Sequence, residues 1–150
     1  MPDGMAKVRL SNADGDVETL WASPLGNDLY RLENSPWYAY GVSWQDVVEA
    51  HSPETGDLPQ FVRVVEKSGH RTIRIILKPP TDESTESQAV LDRVCALGCS
   101  YEGANRSYIA IDLPPSVDLD EICQFLISTG QQWEHADPAY EDLFPDDEAR

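Results

Sequence analysis

Residues 63–78, RVVEKSGHRTIRIILK, gather Arg63, Lys67, Arg71, Arg74 and Lys78 against Glu66 alone. A basic stripe is anion-recognition chemistry, and it is conspicuous in a chain whose net charge is −16. Ser68-Gly69 in its middle is turn chemistry and predicts a hairpin between residues 61–67 and 72–78. In that register Val64 opposes Ile73, Val62 opposes Ile75, and Glu66 opposes Arg71. On the other face Arg63 opposes Arg74, and Lys67 opposes His70. Like charges directly opposed destabilise a sheet. An anionic counterpart is therefore expected, either an internal carboxylate or a bound anion or acidic peptide. Arg63, Lys67, His70 and Arg74 are candidate binding residues on this argument.

Residues 34–50, NSPWYAYGVSWQDVVEA, place Trp37, Tyr38, Tyr40 and Trp44 within eight positions. Three uses compete: a ligand platform, a partner anchor, or the core of a small β domain. No basic residue lies between Arg31 and Arg63, which argues against stacking on nucleic-acid bases. Large aromatics fill a small two-layer domain economically, so Trp37 and Trp44 are expected in a core. Tyr38 and Tyr40 alternate with Trp37 and Ala39 and join the candidate binding residues with hydroxyls at the rim. Residues 43–46 are compatible with one helical turn.

Other chemistry is sparse. Cys95, Cys99 and Cys123 cannot all pair within one chain. Two fall on apolar helix faces, so the three read as free thiols acting as small hydrophobes in a reducing cytoplasm. His51, His70 and His135 have no spacing that suits zinc, and no metal or cofactor is expected. No phosphate-binding glycine loop, nucleophile elbow or zinc-protease helix motif occurs. The acid pairs Asp14/Asp16 and Asp118/Asp120 sit where a turn and a helix start explain them. Nothing here argues positively for an enzyme.

The elements that must position these residues follow from periodicity. Alternation over 17–22, turn residues at 26–28 and apolar residues at 29–32 predict a strand pair. Residues 53–59 read as a surface loop. After Pro79-Pro80, a capping box at Thr85 and Gln88 opens a helix carrying Val90, Leu91, Val94 and Cys95 on one side, with Gly98 as its stop. Residues 101–103 and 108–113 suggest a hairpin around Asn105. Leu119, Ile122, Cys123, Leu126 and Ile127 give a second helix ending at Gly130, and 132–135 a last strand. The reading is α+β. A small β lobe at 6–70, a bent sheet or partial barrel, precedes a ferredoxin-like β-α-β-β-α-(β) lobe at 71–136. An acidic tail at 137–150 is expected to be partly disordered, since 134–150 hold seven acids against Arg150 alone.

The runs WASPLGNDLYRLENSPWYAYGVSWQDVVEA (21–50), FVRVVEKSGHRTIRI (61–75) and LDRVCALGCSYEG (91–103) resemble a family of small bacterial proteins known only as a domain of unknown function. The resemblance spans roughly residues 7–135. It implies a bacterial cytoplasmic origin and a common core including 34–48 and 66–74, and it transfers no activity and no catalytic residues.

The 27 acids against 11 Lys and Arg oppose binding to nucleic acid and to anionic membranes. They favour a basic protein partner drawn in by long-range attraction. The leading expectation is a non-enzymatic, acidic interaction module of the immunity or antitoxin kind. A small-ligand regulatory domain with its site at Arg63/Arg74 is the alternative, and a small hydrolase or transferase the third.

Overall fold

A computed structural model describes residues 4–11 and 14–147. Five strands, β1 (Ala6–Ser11), β2 (Val17–Gly26), β3 (Leu29–Leu32), β4 (Val47–His51) and β5 (Gln60–Glu66), close into a barrel. Each pairs antiparallel with the next, so the odd count makes β5 run parallel to β1 at the seam. Arg9 meets Gln60 there, and the Arg9 amide donates to the Pro59 carbonyl at 2.9 Å. A five-stranded barrel is narrow. Its interior holds short aliphatic chains, Val8, Leu10, Leu20, Ala22, Leu32, Val48 and Ala50, plus Ala39 and Val42 from the β3–β4 connection. The expected bent sheet or partial barrel is thus a closed barrel.

Four further strands, β6 (Arg71–Ile76), β7 (Ser100–Gly103), β8 (Tyr108–Leu113) and β9 (Gln132–Asp137), form an antiparallel sheet in the order β7-β8-β6-β9. Helix α1 (Thr85–Ala96) joins β6 to β7, and α2 (Leu119–Thr129) joins β8 to β9. Both cover one face, packing Leu91, Val94, Ile122 and Leu126 onto Ile73, Ile75, Ile109 and Ile111. Each such aliphatic side chain, fully buried, is worth about 1.5–3 kcal/mol. Ser84, not Thr85, caps α1 by accepting from the Ser87 amide at 3.2 Å. Asp118 and Gly130 bound α2 as the spacing predicts.

The predicted hairpin does not form. Gly69 does turn the chain, at φ +94° and so close to Pro115 that a Cβ would lie 3.0 Å from its ring. The turn, however, carries the chain out of the barrel and into the other sheet. Val64 pairs with Val48 and Arg63 with Glu49, whereas Arg74 lies between Ala110 and Glu134. Arg63 and Arg74 are therefore on separate sheets. β6 is buried almost throughout because both of its faces are covered, the condition under which strand alternation disappears.

Three more expectations meet a different structure. Trp37 and Trp44 belong to neither aliphatic core; both are half-buried between barrel and sheet. Residues 43–46 bend without forming a helix, with Gln45 at φ +69°. The acidic tail begins inside the fold: Asp137 ends β9, α3 (Tyr140–Leu143) follows, and Pro145–Asp147 make a 3-10 turn. Glu148 and Arg150, counted in the tail, lie outside the described residues.

Candidate functional site

Residues 33–46, between β3 and β4, cross the sheet face opposite the helices. This strap has no ladder of its own, so side chains must satisfy its backbone. Carboxylates take its amides. Glu18, buried on β2, accepts from Trp37, Tyr38 and Ala39 at 2.8, 2.9 and 2.8 Å. Glu102 on β7 accepts from the Ser35 amide at 3.0 Å and the Asn34 side chain at 3.2 Å. Donors take its carbonyls. Arg74 Nη1 donates to Ala39 and Pro36 at 2.8 and 3.4 Å, Lys67 to Gly41 at 3.1 Å, and the Tyr108 hydroxyl to Trp37.

Arg74 is the centre of this arrangement. Only 1% exposed, it donates from Nε to Glu134 at 2.9 Å and lies 4.6 Å from the Tyr40 ring centre. Its Nη2 is buried with no hydrogen-bond partner among the described residues. Tyr40 completes a triangle by donating to the other Glu134 oxygen at 2.7 Å. That hydrogen bond to Glu134, followed by burial, holds the Tyr40 hydroxyl above its usual pKa. Burial does the same for Tyr108, on which Tyr38 stacks with ring centres 6.0 Å apart.

A second cluster ties the strap to both sheets. Lys67 Nζ lies 2.5 Å from both Asp46 and Asp137. Asp46 also accepts from the Ser43 and Ser68 amides, at 2.9 and 2.8 Å. Ser43 Oγ meets Thr72 at 2.7 Å and donates to Asp137 at 2.6 Å. Beside it, His70 Nδ1 contacts Asp112 at 2.9 Å, and the His70 ring meets Trp44 edge-on at 4.9 Å. Burial raises the Asp112 pKa against the opposing pull of His70.

The six sequence candidates thus divide. Arg74, Tyr38 and Tyr40 meet at the strap, and Lys67 and His70 flank it. Arg63 stands apart on β5, bonded to Glu49 at 2.8 Å. An anion site shared by Arg63 and Arg74 has no geometry to support it, since each has its own glutamate. Glu18, Glu102, Asp46 and Glu134 carry no sequence signal of their own, because a lone acid in a strand or a connection matches no motif.

A cleft of about 650 Å³ opens next to this centre, lined by Tyr40, Trp133, Glu134, His135, Ala139, Tyr140 and Glu141. Its walls are β9 and α3. Among the described residues no cluster of three or more His, Cys, Asp or Glu is arranged to hold a metal. Among the described residues no helix is long and apolar enough to cross a membrane.

The histidines predict opposite titrations. His51 bonds Glu49 at 2.6 Å, which raises its pKa above the usual 6.5, while burial among rings lowers that of His135. A raised histidine stabilises the fold below about pH 6.5, and that contribution is lost as pH rises through its folded value. A depressed one stabilises fully above about pH 6.5 and is lost as pH falls toward its folded value. Proton NMR should place the His51 midpoint above, and the His135 midpoint below, a model peptide's. Equal midpoints would contradict the geometry of both.

The thiols also separate. Cys95 is exposed, contrary to expectation, whereas Cys99 is buried. Burial, with Asp112 adding, pushes Cys99 to about 12, and burial pushes Cys123 to about 11. An aromatic disulfide reagent at pH 8 should modify one thiol rapidly and the other two only on unfolding. Loss of the fast phase in Cys95→Ser identifies it; a fast phase that survives assigns the wrong cysteine.

The fold is α+β, a closed barrel joined to a four-stranded sheet by a strap anchored on carboxylates. The chain belongs to the family described as a domain of unknown function (DUF4265), whose model matches residues 18–136. A crystal structure of a hypothetical protein from Neisseria gonorrhoeae is similar, with a TM-score of 0.69 at 14% identity, over 93% of this chain and 98% of that one. At that identity the likeness concerns the fold alone. No curated protein matches the chain.

Proposed function

We propose that this protein is a non-enzymatic, acidic interaction module that occludes a basic protein partner, as immunity and antitoxin proteins do. The observation that carries the reading is where its cations go. Arg31, Arg63, Lys67 and Arg74 are each held by carboxylates of the same chain. With 27 acids and only 11 Lys and Arg, the uncompensated charge left for a partner is negative. The connectivity β6-α1-β7-β8-α2-β9, in the order β7-β8-β6-β9, supports reading the second sheet as ferredoxin-like. Fold alone assigns no function, so the weight rests on charge.

Cross-linking in the source cells, followed by reconstitution with the purified partner, tests the reading. The partner should be basic, and affinity should fall at least about tenfold between low and physiological salt, where exposed charges are screened beyond ~8–10 Å. An acidic or neutral partner, or binding indifferent to salt, ends this reading.

A further inference from the structure

The cleft beside Arg74 is touched by Trp133, Glu134 and His135 in succession. Neighbouring residues of a strand send their side chains to opposite faces. A cavity reached by three in a row therefore opens on the strand's edge. β9 is such an edge, the last strand in the order β7-β8-β6-β9; its far end is covered, where the Gly41 amide donates to the Ala136 carbonyl at 2.9 Å and Ala136 bridges to Ala139. Alternate residues of an antiparallel strand turn both main-chain groups away from the paired neighbour. Among the described residues, none of 132–135 has a backbone partner on that outer side. Proteins usually blunt such an edge with lysine, proline or a bulge. Residues 132–135 contain neither lysine nor proline, and the register shift falls beyond them, at Ala136.

The side chains around this edge select for charge. Tyr40, Trp133 and Tyr140 present ring surface, and Glu134 and Glu141 present carboxylates, with no Lys or Arg in the lining. Glu134 is already shared with Arg74, while Glu141 has no ion pair among the described residues. Aromatic faces beside a carboxylate hold a cation well. A second copy of the chain fits poorly, because its other sheet edge, β7, reads SYEG and brings Glu102 with no cation.

We propose that the β9 edge receives an extended segment of a basic polypeptide, which pairs as an added strand and lays a Lys or Arg side chain between Tyr40 and Tyr140 beside Glu141. Main-chain pairing supplies position and the cation supplies selectivity. The proposal rests on the acidic-module reading for the partner's charge, and it adds where and in what conformation that partner is held.

The test uses the full chain, labelled with nitrogen-15, and a capped six-residue probe, acetyl-Thr-Val-Lys-Val-Thr-Val-amide. Saturable shifts are expected at the amides of 132–135. Affinity should drop at least tenfold when the probe lysine becomes glutamate, and likewise when alternate probe amides are N-methylated. Glu141→Lys, at an exposed position, should weaken the probe similarly while leaving the β8 amide spectrum unchanged. No saturable shift at 132–135 at millimolar probe, or equal binding of the glutamate probe, overturns the proposal. A basic, salt-sensitive cellular partner that binds Glu141→Lys as tightly as wild type also overturns it, yet leaves the acidic-module reading intact. Edge-specific probe binding together with a neutral cellular partner overturns the acidic-module reading and with it the basic partner proposed for this edge.

Discussion

Arg74→Ala should lower the unfolding free energy by about 3–5 kcal/mol, the sum expected for stranding buried carbonyls and opening a cavity at the strand centre. Three losses combine. The Ala39 and Pro36 carbonyls lose their donor, Tyr40 loses the guanidinium under its ring, and the strand centre is left with a void. Glu134 contributes less to the deficit, because its side chain is 42% exposed and water can replace the arginine there. Arg74→Met separates these effects. It restores most of the volume without restoring a donor, so about half the loss should remain. Urea titration measures both, with an unchanged slope showing that the unfolded state is the same. A loss under about 1 kcal/mol for the alanine variant would refute the central role given to Arg74. Hydrogen exchange should show protection falling first across 36–42, since the strap is what Arg74 holds.

That role was only half legible in the sequence. Crowding of cations at Arg63 and Arg74 called for one anionic counterpart between them, whereas each arginine has its own glutamate on a separate sheet. It failed on geometry, because a Ser-Gly turn between two apolar runs reads as a hairpin whether or not the runs pair. The runs themselves carry no better clue. Residues 61–66 (FVRVVE) and 72–77 (TIRIIL) each hold four apolar residues, and only the structure shows that the second run is covered on both faces while the first keeps an exposed side. Two strands with such different burial are poor candidates to be neighbours in one small sheet.

The helices, by contrast, were readable because their information is local. An i, i+3, i+4, i+7 stripe and a glycine stop fix α2 without reference to the rest of the chain. The strap is the opposite case. Its path is set by Glu18, Glu102, Arg74 and Lys67, which are distant in sequence and each unremarkable alone. The aromatic density of 37–44 pointed to an important segment and misplaced it, because a barrel this narrow has no room for indole rings. Those rings instead fill the seam between barrel and sheet. Tyr38 stacks there on Tyr108, and Trp44 against His70.

Lys67→Met should cost about 2–4 kcal/mol at neutral pH. The reasoning turns on what the lysine leaves behind. Asp46 and Asp137 both place an oxygen 2.5 Å from its ammonium, and their side chains are 0% and 8% exposed. Without the cation, two buried carboxylates face one another with no charge between them. The lysine itself is 45% exposed, so water entering from its side keeps the cost below that of a fully enclosed pair. Asp46 cannot simply swing away, because it also holds the Ser43 and Ser68 amides. A double variant distinguishes repulsion from lost packing. Asp137→Asn keeps the shape and an acceptor for Ser43 while removing one charge, so Lys67→Met with Asp137→Asn should recover roughly half of the deficit. If the two substitutions are simply additive, the charges are not coupled. The strap would then be held at this end by the Asp46 amide bonds and the Ser43–Thr72 contact, with the lysine contributing only its stem.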